Sequence, residues 1–281
     1  MKLGRKISAP VTTIIESSEM NRWFNVQEVW AYRDLFYLLV WRDIKTRYAQ
    51  SVLGIGWAII QPLFSMVVFT VVFGNMAKIS SDGVPYAIFS FSALVPWTYF
   101  SGALTSAGGS LLTARGIITK VYFPRIIVPL VAVVAKLWDF VIALIILFGV
   151  MAYFGFAPTA RTLYLPVIVL LMTLTAAGAG MWLTALSLQY RDIQYSLGFG
   201  VQLLMYASPV VYPVSMVPER FRLLYYLNPM ASIIEVFRSV LLGTNPIPWQ
   251  ALSIGAGMTF LLVISGSLYF TSMERKFADV V

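Results

Sequence analysis

Charged residues are spaced along this chain so that six long apolar runs stand between them. Asp, Glu, Lys and Arg are absent from 48–77, 83–114, 140–160, 162–190, 193–218 and 239–273. Each run is mostly Leu, Ile, Val, Phe, Ala, Gly and Met. A hydrocarbon core about 30 Å thick is crossed by roughly 20 apolar residues of helix, so each run can supply a crossing. The pattern predicts spans at 55–73, 86–106, 126–154, 163–187, 197–212 and 251–270. An all-α integral membrane protein follows, with six transmembrane helices and both termini on one side.

The polar positions choose that side. With the termini cytoplasmic, the inner segments carry Lys2, Arg5, Lys6, Arg22, Arg33, Arg42, Lys45, Arg47, Arg115, Lys120, Arg125, Arg191, Arg275 and Lys276. The outer segments carry Lys78, Arg161, Arg220, Arg222 and Arg238. That inequality is the positive-inside bias, and it predicts an N-in/C-in arrangement. The net charge of +8 therefore lies along one membrane face. Anionic headgroups of membrane lipid account for it, and no nucleic acid partner is expected.

Ahead of the first span, VQEVWAYRDLFYLLVWRDIKTRY (26–48) repeats apolar residues at helical spacing: Val26, Val29/Trp30, Phe36/Tyr37, Val40/Trp41 and Ile44. This predicts an amphipathic interface helix with its Trp and Tyr rings at headgroup depth. The domain plan is a cytoplasmic tail at 1–24, the interface helix at 25–48, a six-span domain at 49–275 and a short tail at 276–281. The first twenty residues have a basic start but no apolar core of signal-peptide length.

Composition narrows the chemistry. Hydrophobic residues make up 59% and charged residues 11%, too few to cover a water-soluble globule of this size. The chain has no Cys and no His, which removes disulfides, thiol nucleophiles, imidazole bases and the usual zinc or haem ligands. No GxxxxGK[ST] run is present to cradle ATP phosphates. Neither a catalytic site nor a metal site is expected. Any ATP-driven step would belong to another polypeptide.

Three stretches, in order, carry a resemblance: RDIKTRYAQSVLGIGWAIIQP (42–62), LVPWTYFSGALTSAGGSLLTARGIITKVYFPRIIVPL (94–130) and 188–243, which begins LQYRDIQYSLGFG. Together they make the chain similar to the ABC-2-type permeases that export polysaccharides, the O-antigen, capsule and teichoic-acid exporters, and most like the O-antigen members. The likeness covers about residues 25–275. It implies a homodimer of six-span subunits in the bacterial cytoplasmic membrane, joined to two copies of a cytoplasmic ATPase that bind the ATP and Mg. It implies as cargo a lipid-linked glycan, typically on undecaprenyl diphosphate.

Residue roles follow as expectations. Between spans two and three, a short helix from Ser110 to Arg115 or beyond, closed by Gly116, would offer Leu111, Leu112, Arg115 and Lys120 to the ATPase, where the family places its coupling helix. A plain basic loop would satisfy topology equally well. Arg42, Lys45 and Arg47 stand at the inner headgroup level, where guanidinium forks suit a lipid diphosphate; as simple inner-face anchors they need no ligand. Tyr190, Arg191 and Asp192 resemble another family signature; on physics alone they form an inner-face anchor with a locally paired charge. Lys136 and Asp139, an i, i+3 pair within span three, either neutralise one another structurally or face the channel. Trp97, Tyr99, Phe100, Tyr206 and Tyr212 are candidate lining rings for sugar faces, with ordinary packing as the alternative.

Outside, Asn228 followed by Pro229 predicts a capped helix that Gly243 ends. It is too short to cross, and Glu235 and Arg238 at i, i+3 can pair on it. The family carries re-entrant helices here that close the outer mouth, so Asn228, Glu235 and Arg238 are the expected outer gate. A membrane glycosyl or acyl transferase would need clustered catalytic acids, whereas the outer loops hold Asp82, Glu219 and Glu235, scattered in sequence. A drug or small-lipid exporter would keep the fold and change the cargo.

Overall fold

The structure is a computed structural model that describes residues 26–49, 54 and 56–280. The tail expected at 1–24 and most of the 50–55 connection lie outside them. The described chain is helical almost throughout. α1 (Val26–Ala31) and α2 (Arg33–Tyr48) precede α3 (Gly56–Phe69), whose last turns, Thr70–Met76, widen to π-helix. α4 (Tyr86–Gly108) descends to two single-turn helices, α5 (Ser110–Thr113) and α6 (Arg115–Ile118). α7 (Ile127–Ala135) and α8 (Leu137–Tyr153) form one run that breaks at Lys136. A 3₁₀ turn, Ala160–Tyr164, opens α9 (Leu165–Gln189), and α10 (Arg191–Tyr206) follows directly. The outer hairpin is α11 (Glu219–Tyr225) and α12 (Pro229–Leu242), before α13 (Trp249–Val280).

Among the described residues, five helical runs are long and apolar enough to cross a membrane: Gly56–Met76, Tyr86–Gly108, Ile127–Tyr153, Ala160–Gln189 and Trp249–Glu274. The run expected at 197–212 departs from its expected bounds. α10 begins at Arg191 and stops at Tyr206, and the chain then turns through Ser208–Val210. Sixteen residues of helix rise about 24 Å, short of the hydrocarbon thickness. Pro209 and Pro213 explain the stop, because each removes a backbone donor.

α4 is the axis of the subunit. It packs on α3, α7, α8, α9 and α12, and most of its residues are buried. Pro96 inside it is tolerated because neighbouring helices surround the freed carbonyl. The tightest pairing is α9 on α13. A Cβ on Gly178 would meet the Leu262 carbonyl carbon at 2.7 Å, so glycine is what lets the two backbones touch. The seam is fastened by a Thr175–Thr259 hydroxyl pair at 2.8 Å and by Trp182 stacked on Tyr269 with centroids 4.2 Å apart. α3 and α10, in contrast, bury no residue within the subunit.

The interface helix is less one-sided than its stripe predicted. Leu39 is buried, and Val29, Tyr32, Leu35, Phe36 and Val40 pack with it on a cluster of Leu111, Phe123, Ile127, Val131 and Phe270. Trp30, Tyr37, Leu38 and Trp41 stay exposed on the other side. Thus α2 carries two apolar faces, one against α7 and one outward.

Candidate functional site

The inner junction is built where α2 ends against α8. Asp43 and Arg47 are one helical turn apart and pair at 3.1 Å. Arg47 also reaches across 92 residues of sequence to the Asp139 carboxylate at 2.7 Å. The Tyr48 hydroxyl donates to the other oxygen of the same carboxylate. Burial, with Asp139 alongside, pushes the Tyr48 phenol up, so it remains a donor. Lys136 completes the set at 3.5 Å from Asp139. Two acids and two bases therefore neutralise one another in a partly buried setting, where a lone charge would be costly.

This junction lines a cavity of about 360 Å³ between α3, α4 and α8, with Gln61, Thr98 and Ser101 supplying further polar groups. The pair expected from sequence, Lys136 and Asp139, is present. The structure adds Arg47, expected from sequence at the lipid diphosphate, to the same network. Both its terminal nitrogens are held by carboxylates, and the cations exposed at this level are Arg42 and Lys45, the latter over the Trp41 ring at 5.3 Å. A second cavity, about 630 Å³, lies between α2, the α5–α6 turn and α7, and Arg42, Thr46, Ser110 and Phe123 line it.

The loop between spans two and three forms two short helices broken at Ala114, not one helix ended by Gly116, which sits inside α6. Leu111 is turned inward to the second core cluster, so it does not offer a surface to another protein. Leu112, Arg115 and Lys120 are exposed. A single turn of helix has no periodicity long enough to reveal which of two adjacent leucines faces inward.

The aromatic candidates divide. Trp97, Tyr99 and Phe100 are buried in the core of the subunit, with Trp97 on Phe100 and Tyr99 edge-on to Phe140. All three pack within the subunit, and Tyr99 also lines the inner cavity. Tyr206 is exposed at the end of α10. Tyr212 donates to the Tyr206 carbonyl at 2.9 Å and accepts from the Tyr225 hydroxyl at 3.1 Å.

At the outer end, α12 has the ends its sequence announced. The Asn228 side chain accepts from the Met230 amide at 3.1 Å, and Gly243 closes the helix at φ 67°. The Asn228 amide also donates to Ala207 carbonyl and Ser208 Oγ, which ties the helix to the turn after α10. The expected Glu235–Arg238 ion pair is not formed. Arg238 instead donates to the Pro209 carbonyl at 3.0 Å and lies over the Phe89 ring at 3.7 Å. Glu235 has Tyr226 beside it, and burial pushes its carboxyl up from the usual carboxylate range. Asp82, Arg222, Glu235 and Arg238 share one cavity, so two of the acids that are scattered in sequence meet in space. Nothing in their spacing could have shown this, since a loop 153 residues before Glu235 supplies Asp82.

Membrane-length helices around a buried axis, with polar junctions at both ends, define a multi-pass membrane protein. The family model for ABC-2 type transporters matches residues 34–242, and the chain belongs to that family. It is 28% identical over 258 residues to the O-antigen export system permease protein RfbA of Myxococcus xanthus, covering 91% of this chain and 98% of that protein. A protein of the same name from Klebsiella pneumoniae is 26% identical, over 88% and 95% of the two chains. The polysialic acid transport protein KpsM of Escherichia coli is 22% identical, over 83% and 91%.

Proposed function

We propose that this chain is the membrane permease subunit of an ATP-driven exporter of lipid-linked polysaccharide, with an O-antigen-type glycan on undecaprenyl diphosphate as its cargo across the bacterial cytoplasmic membrane. The observation that carries the reading is the nearly end-to-end likeness to two permeases named for O-antigen export. Capsule export is the second reading, favoured by the KpsM likeness at lower identity.

Several structural features support the assembly. α3 and α10 bury nothing within the subunit and expose Trp57, Phe64, Phe199 and Leu203. A second copy packed on these faces would form a homodimer with the path between the copies. α10 and the turn after it would complete the sixth passage, with α11 and α12 as re-entrant helices at the outer mouth. The chain holds no nucleotide-binding motif, so two ATPase subunits would bind ATP and Mg and press on Leu112, Arg115 and Lys120. Arg42 and Lys45 would hold the lipid diphosphate as it enters.

Removing the chain from its native cell tests the reading. Full-length lipid-linked glycan should accumulate inside while surface glycan disappears. A transferase would instead leave a truncated or unmodified glycan on the surface.

A further inference from the structure

The outer cavity, about 320 Å³, holds groups that the subunit itself leaves incomplete. Glu235 Oε2 and Arg238 Nε are both buried without a hydrogen-bond partner. Buried polar atoms are nearly always bonded, so two orphans on one cavity wall mark a place where a partner belongs. The charges around it, Asp82 and Glu235 against Arg222 and Arg238, cancel. A net charge on the ligand would thus gain little, which disfavours a phosphate or a metal ion. Val214, Ile247 and Pro248 give the cavity apolar wall. A carboxylate acceptor, a guanidinium donor and apolar flanks are what a neutral sugar ring presents hydroxyls and C–H faces to.

We infer that this cavity is a saccharide subsite at the outer mouth, in which Glu235 accepts from and Arg238 donates to hydroxyls of the emerging glycan. The inference rests on the polysaccharide reading above and adds to it a place where the cargo is held. The walls are prepared for this. Ser215 Oγ fixes Asp82 at 2.9 Å, and Arg161 anchors the 243–245 turn through the Asn245 carbonyl at 2.7 Å. Single, weak contacts of this kind would steady a polymer without stopping it.

The native chain has no cysteine, so one introduced thiol is a unique reporter. Thr244→Cys places it on the exposed rim of the cavity, and Tyr153→Cys on the exposed outer end of α8, outside the cavity lining. Both are labelled with a membrane-impermeant maleimide in cells that make the glycan and in cells blocked at the first lipid-linked sugar, with surface glycan measured in parallel. The subsite predicts labelling of Thr244→Cys slowed by about threefold in glycan-producing cells, as for a site filled two-thirds of the time. Tyr153→Cys should be unaffected, and adding Glu235→Ala to Thr244→Cys, which removes the acceptor, should remove the protection.

Equal labelling of Thr244→Cys in both cells, with export intact, would overturn the subsite and leave the export reading standing. Slowing of both thiols would overturn it too, as a general closure of the outer face. Protection that persists with Glu235→Ala would place the sugar elsewhere and mean that the orphan atoms bond ordered water only. Absence of any export in the unmodified strain would instead count against the export reading itself.

Discussion

The two ends of the subunit treat buried charge in opposite ways. At the inner junction every ionised group has a partner: Arg47 bridges Asp43 and Asp139, and Lys136 adds a second cation to Asp139. At the outer end Arg238 relies on carbonyls and a ring face, and Glu235 keeps an oxygen without a hydrogen bond. The inner set is closed and ties α2 to α8. The outer set is open, and its unspent hydrogen-bonding capacity belongs to residues that line a cavity. A charge network that satisfies itself is a fastening; one that does not is a place for something else to bind.

The largest effect should come from cutting the inner tie. Asp139→Asn leaves Arg47 and Lys136 without their shared carboxylate; Arg47 keeps Asp43 and the site is partly buried, so the loss should fall below the roughly 3–5 kcal/mol of a fully buried pair. Thermal unfolding of the purified protein in detergent should show a clear fall in Tm. Lys136→Met should lower it less, because Asp139 keeps Arg47, and the double variant should recover part of the loss. Equal effects from all three would mean the junction is not a network.

Of similar size, Leu111→Ala should destabilise by about 2–5 kcal/mol, as for a core leucine, while Leu112→Ala should stay within roughly 0.5 kcal/mol and weaken only ATPase binding. A stability change in Leu112 and none in Leu111 would reverse the orientation of this loop.

The outer end should respond to pH. Burial raises the Glu235 pKa above its ordinary 4.5, so the folded protein holds this proton more tightly than the unfolded chain does. Its stabilising contribution is present below that ordinary value and is lost as pH rises through the folded-state pKa. Glu235→Gln should flatten this part of the Tm profile and be no less stable than wild type at neutral pH. A steeper profile in the variant would contradict the burial argument. Smallest in stability should be Arg42→Gln with Lys45→Gln, exposed residues whose loss should leave Tm unchanged and reduce export. Unaltered export would remove both from lipid-diphosphate binding.

Much of this was readable along the chain, because charge exclusion, caps and i, i+3 spacing are local. Five of the six charge-free runs became membrane-length helices, and Asn228 and Gly243 end α12 as their chemistry requires. The remaining run formed the shorter α10 and a proline turn, bounds that absence of charge does not foretell. Lys136–Asp139 was visible, but its third member, Arg47, arrives from another element. The Tyr48 hydroxyl, the Asp82 loop and the Phe89 ring were likewise missed. Long-range juxtaposition depends on packing, which residue spacing does not encode.

The central claim is that this chain is an oily conduit moved by a separate ATP-hydrolysing subunit. Affinity purification of the chain from its native membrane, followed by measurement of ATP turnover with and without undecaprenyl-linked glycan, tests it most directly. The account predicts a co-purifying ATPase whose turnover rises when the glycan is added. Recovery of the chain alone, or turnover indifferent to glycan, would contradict it.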